Sequence, residues 1–179
     1  MKMIGIITPI ALLALVCAAP AIAQQTPARQ AAVAGLRHVS PKEMDPGFSK
    51  AAPYAQHLVD QALMRHPEIL LLAIHATAPD GKNVIIASNF DRIGKLGDED
   101  DMRCIRTGKN NLEVNAKEGH FEDELILKNK AGDTIGALGV VFAYKPGDDK
   151  GRLIEIAQKT RDEMQAQIPT EARLFDAAE

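Results

Sequence analysis

The chain has 179 residues, a formal net charge of -3 and no tryptophan, with aromatic residues at 4%. A charge that small, with no basic stripe, excludes nucleic acid as a partner, and so few aromatics exclude a base-stacking platform. Two cysteines, Cys17 and Cys104, leave no disulfide framework to read.

The first 23 residues read as a signal peptide. Lys2 gives a positive start, residues 4–16 form an apolar core, and Ala21-Ile22-Ala23 is a small-residue cleavage site. Cys17 follows Val16, a poor match to a lipoprotein signal. Cleavage after Ala23 predicts a periplasmic chain that starts at Gln24, with no membrane span left and Cys104 as a small buried thiol. Residues 24–50, rich in Ala, Gln and Pro, read as a loose lead-in with a little helix around 31–36. The folded domain is expected over 51–179.

From Tyr54 the pattern is helical, with Ala55, Leu58, Val59, Ala62 and Leu63 on one stripe, and Pro67 ends it at His66. Residues 68–76 form a strand apolar on both faces, and Asp80-Gly81 tips a hairpin into a second strand over 83–89. Residues 90–97 are expected to hold one short helical turn. The acidic run from Asp98 to Asp101 precedes Arg103 and Arg106, an order that suits a short capped helix ending near Gly108. That reading is preferred to a metal loop, because the calcium-loop spacing is missing. A short alternating strand over 111–116 and a further strand over 120–128 follow, the latter with Phe121, Leu125 and Leu127 on one face.

Residues 130–145, KAGDTIGALGVVFAYK, are the stretch around which the rest is arranged. A turn at Ala131-Gly132-Asp133 leads into a strand apolar on both faces, as expected mid-sheet. Gly136 and Gly139 within it read as positions of close approach. A last helix, capped by Asp148 or Asp149, carries Leu153, Ala157, Thr160, Met164 and Ile168, and the tail docks through Leu174 and Phe175. Consecutive strands joined by tight turns, with helices at both ends, predict an α+β fold: a five-stranded antiparallel sheet flanked by N- and C-terminal helices.

The order of elements, the Asp80-Gly81 hairpin and the AGDTIGALGVVF stretch at 131–142 resemble Cache domains, the PAS-like sensor modules of the bacterial exterior. The resemblance covers about 54–168, of the single-Cache type. It implies strand order 2-1-5-4-3, a long helix behind the sheet, and a small-molecule pocket between the sheet and the connection from the second strand to the third. Such domains usually drive an attached kinase, cyclase or chemoreceptor. Without one, the chain would report through a signalling partner or a membrane receptor.

No phosphate loop, dinucleotide fingerprint, nucleophile elbow or H-E-x-x-H is present, and the five histidines share no short ligand spacing, so no metal or catalytic residue is assigned. His75 or Met102 would be the residues to hold a haem, but a buried, hydrogen-bonded His75 is the simpler reading. The expected function is a non-enzymatic, periplasmic small-molecule sensor without cofactor. The alternatives are a structural or partner-binding PAS-like module with a filled core, and a haem protein or enzyme. The expected ligand is a small anionic metabolite, its carboxylate gripped by Arg103 or Arg106 with Asn89 and His75 as neutral partners. The competing reading pairs both arginines with residues 98–101 on the surface.

Overall fold

The strand Thr134–Ala143 lies at the centre of a five-stranded antiparallel sheet. The computed structural model describes residues 32–34, 36 and 39–178, so the signal peptide, Cys17 and the first part of the lead-in lie outside the described residues. The elements are α1 (Pro53–Arg65), β1 (Ile69–Thr77), β2 (Asn83–Ser88), α2 (Glu99–Thr107), β3 (Asn111–Asn115), β4 (His120–Lys128), β5 (Thr134–Ala143) and α3 (Lys150–Gln165). The sheet order is β2-β1-β5-β4-β3, the order that the Cache resemblance implies. Among the described residues, no helix is long and apolar enough to cross a membrane.

Both faces of β5 are buried, and different elements cover them. Leu138, Val140 and Phe142 face α1 and α3 in the main core, with Leu58, Val59, Leu72, Ile74, Leu125, Leu127, Ala157 and Met164. Ile168 and Leu174 close this layer, so the tail docks as its apolar residues predict. The second face carries two smaller apolar clusters. Leu71, Ala73, Ile85 and Val141 pack with Ala32 and Leu36 of the lead-in, and Ile126 and Ala137 pack with Cys104 on α2.

Two segments differ from the sequence reading. Residues 90–97 hold no helical turn. They run along the outer edge of β2, where Ile85 N–H donates to Lys95 O and Gly94 N–H to Ile85 O. The lead-in pairs outside that segment: Asp45 N–H donates to Gly94 O, and Leu96 N–H donates to Glu43 O. From Ser40 onward the lead-in is therefore part of the fold, and its Asp45 is 4% exposed and paired with Lys82 at 2.9 Å. An unpaired sheet edge is a liability, and these backbone bonds satisfy it where periodicity gives no signal.

The glycines of β5 have unlike roles. A Cβ at Gly136 would lie 1.9 Å from the backbone oxygen of His75, so the close approach is between neighbouring strands and not to a helix or ligand. At Gly139 a Cβ would meet only Glu122 Oε1, at 3.5 Å, an ordinary contact. Overpacking is therefore expected at Gly136 and not at Gly139. Gly136→Ala should lower unfolding free energy by roughly 1–3 kcal/mol or more, while Gly139→Ala should change it little. Urea denaturation of both variants checks this, and equal losses would contradict the register.

Candidate functional site

The second face of the sheet is not filled. Between its two apolar clusters lies a cavity of about 110 Å³, roofed by the β2–β3 connection and the start of α2. Its place, between the sheet and the connection from the second strand to the third, is the one that the resemblance implies. Gly139 is on its floor, and Glu122 and Glu124 of β4, Glu113 of β3, His75 of β1 and Asp101 of α2 stand around it.

α2 is built as its sequence predicts. Asp98 caps it, accepting from Asp100 N–H and Asp101 N–H, and Asp101 in return accepts Asp98 N–H at 2.7 Å. Gly108 ends the helix in the left-handed conformation. The reciprocal cap has a consequence beyond helix stability, because it fixes Asp101 facing the sheet. Asp101 is only 5% exposed, and its Oδ1 lies 3.3 Å from His75 Nε2. The acidic run is thus not wholly a solvated helix start.

His75 is 5% exposed, and burial lowers its pKa against the raising influence of Asp101. A carboxylate beside Nε2 favours the tautomer with its proton there, which leaves Nδ1 an acceptor. That Nδ1 is buried without a hydrogen-bond partner among the described residues. His75 is therefore buried as expected but not satisfied.

Glu124 is 5% exposed and within hydrogen-bonding reach of Asp101. Two carboxyl groups make that contact by sharing a proton, and burial first, then Asp101, push Glu124 far above the usual carboxylate range. Glu122 lies directly across from Glu113 in the β3–β4 ladder. Like charges in that position cost stability. Burial first, then Glu113, raise Glu122 to about 7, against a lowering influence of Arg92. On the opposite face Asp123 is fully buried beside the main core, neither carboxyl oxygen has a hydrogen-bond partner among the described residues, and burial raises it to about 6.

The predicted anion site is not assembled. Of its four residues only His75 lines the cavity. Asn89 is spent on the backbone of β1, with Oδ1 accepting Leu72 N–H at 3.0 Å and Nδ2 donating to Leu70 O at 2.9 Å. Its amide continues the ladder where β2 stops at Ser88. Arg103 bonds Asp100 at 2.9 Å and Asn111 at 2.6 Å, and Arg106 bonds Glu99 at 2.5 Å. Both arginine side chains are about half exposed, 48% and 54%. These are surface pairs, of the kind that contribute about 0–1 kcal/mol. Of the three arginines in the connection, Arg92 alone lines the cavity, and it donates to Leu36 O through both Nε and Nη2. The wall holds six carboxylates against Arg92 and Lys95, and Lys95 is itself paired with Asp98 at 3.1 Å. The lining is thus more acidic than basic.

No family model matches the chain, and no curated protein matches it. Among solved structures, it is similar to the A. Aeolicus nlh2 GAF domain in an inactive state, at 14% identity and TM-score 0.50, over 69% of this chain and 86% of that one. A GAF domain from an Acinetobacter phosphoenolpyruvate-protein phosphotransferase covers 85% of this chain and 95% of its own, at 11% identity and TM-score 0.49. A type II free methionine-R-sulfoxide reductase from Thermoplasma acidophilum covers 69% of this chain and 93% of its own, at 14% identity and TM-score 0.47. At such identities the likeness is one of fold: a GAF- and PAS-like α+β domain.

Raised carboxyls set a pH dependence. Folded Glu122 holds its proton to about pH 7, while an unfolded glutamate releases it near 4.5. The folded state therefore binds more protons between these values, and its stability falls as pH rises toward and through 7. His75, lowered by burial, acts oppositely and costs stability as pH falls below 6.5. Glu122→Gln should flatten the loss between pH 5 and 8 by roughly 1–3 kcal/mol and leave the acid limb unchanged. Denaturation across that range checks this. An unchanged slope would mean that Glu122 is solvated.

Proposed function

We propose that this chain is a small-molecule-binding sensor domain, exported to the periplasm, whose ligand site is the cavity beneath the β2–β3 connection. One observation carries this reading. The middle of the second sheet face holds a buried, unpartnered His75 Nδ1 and closely spaced carboxyls around a cavity of about 110 Å³, where a purely structural module would place apolar side chains. His75 Nδ1, the Asp101–Glu124 pair and the Glu113–Glu122 pair each cost stability in the unliganded protein. Groups of that kind are retained where something else satisfies them. The volume is comparable to cavities that admit a molecule of a few heavy atoms. A Cache-type identity fits the same architecture, and the chain would then signal through a membrane receptor or another partner.

The test is to fill the cavity. Gly139→Met sends a side chain into it from the floor, and the backbone there tolerates a Cβ. Native mass spectrometry of freshly purified wild-type protein should show a small bound molecule, absent from Gly139→Met at similar thermal stability. A wild-type protein free of ligand, with Gly139→Met more stable, would identify a filled structural module instead. Export is checked separately: mature protein should begin at Gln24 or within a residue or two, and a chain retaining Met1 would contradict it.

A further inference from the structure

The wall of the cavity is chemically one-sided. Glu122 makes no hydrogen bond or ion pair within reach among the described residues, Asp101 and Glu124 present a proton-sharing carboxyl pair, and His75 offers a bare acceptor nitrogen. His75 Nδ1 and an ionised Glu122 on this wall therefore accept hydrogen bonds. The local cations balance it only in part: Arg92 donates to the Leu36 carbonyl and acts on Glu122 from the connection, and Lys95 is paired with Asp98. A carboxylate ligand would bring more acceptors and more negative charge to the same space. An ammonium brings up to three donors and the missing positive charge.

A bare metal ion is the other cation to weigh. Among the described residues, no three His, Cys, Asp or Glu side chains come together as an ion would require. The carboxylates come from β3, β4 and α2 and are spread around the wall. That dispersal suits an extended organic cation more than a point charge.

We propose that the cavity takes a small organic amine, its ammonium group seated over Gly139 between Glu122 and the Asp101–Glu124 pair, with His75 Nδ1 as a further acceptor. This rests on the reading of the cavity as a ligand site. The raised carboxyls agree with it, because the empty site holds protons where the ligand would supply positive charge. Binding would then release protons, and amine affinity should rise as pH increases from 6 to 8. The groups facing Glu122 from each neighbouring element are Glu113 on β3, Arg92 on the connection, and Asp98 and Asp101 at the start of α2.

Calorimetry at about 0.15 M salt decides among ligand classes, with ethanolamine, putrescine and histamine against succinate and against calcium and magnesium chlorides. At least one amine should bind wild-type protein. Glu122→Gln should weaken it about tenfold or more, Glu122→Asp should weaken it less, and Arg106→Ala should leave it unchanged. Succinate binding with all three amines silent would overturn the amine while leaving the cavity a ligand site. Binding of calcium or magnesium alone would do the same. Amine affinity that survives both Glu122→Gln and Glu124→Gln would place the ligand elsewhere and overturn the proposal. If none of the probes binds and Gly139→Met only stabilises the protein, the ligand site itself fails, and the amine with it.

Discussion

Along β5 the residues Ala137, Leu138, Val140 and Val141 are all buried although they alternate between faces. A sheet with such a strand at its centre must be covered on both sides, and among the described residues long helices cover one of them. α1 and α3 complete the first face. The second face is closed piecemeal, by α2 at one end and by the lead-in and the connection at the other. The middle of that face, at Ala73, His75 and Gly139, lies between these two covers. The cavity is thus a consequence of how the sheet is covered, not a decoration added to it.

The same constraint explains how much the sequence reveals. Elements fixed by local periodicity or punctuation are legible: the stripe of α1, the stop at Pro67, the Asp98 cap, the Asp80-Gly81 hairpin and the two-faced β5. The sheet order is legible through the resemblance. The edge pairing of residues 94–97 with β2 and with the lead-in is not, because it rests on backbone bonds that leave no side-chain pattern.

The site is less legible than the fold. Glu122, Asp123 and Glu124 form an unbroken acidic run in the first half of β4, which reads as a solvated stretch of the strand. Only the roof formed by α2 and the connection turns the face of Glu122 and Glu124 inward. Asp101 sits in an acidic run that reads as a helix cap, and it is one, but its reciprocal bond to Asp98 also turns it toward His75. The carboxylate-gripping chemistry of a guanidinium makes arginines candidates by residue type alone. Arg103 and Arg106 instead lie on the outer side of α2, where Asp100 and Glu99 neutralise them. Of the residues proposed from sequence, His75 remains in the site, because a histidine inside an apolar strand has nowhere to go but into the protein.

Electrostatically the domain keeps its acids where they are costly. Glu122, Asp123 and Glu124 are three successive carboxyls, all raised by burial, on a strand paired with the apolar β5 on one side. The account stands on the second sheet face being partly covered and acidic, and on Glu122 being at its centre. The most direct measurement is carboxyl NMR of carbon-13-labelled glutamate, titrated with and without putrescine. The account predicts one glutamate, assigned to Glu122 by its loss in Glu122→Gln, with a midpoint near 7 in the free protein and a lower midpoint in the amine-bound one. A Glu122 that titrates near 4.5 in both would show an open, solvated face and contradict the account.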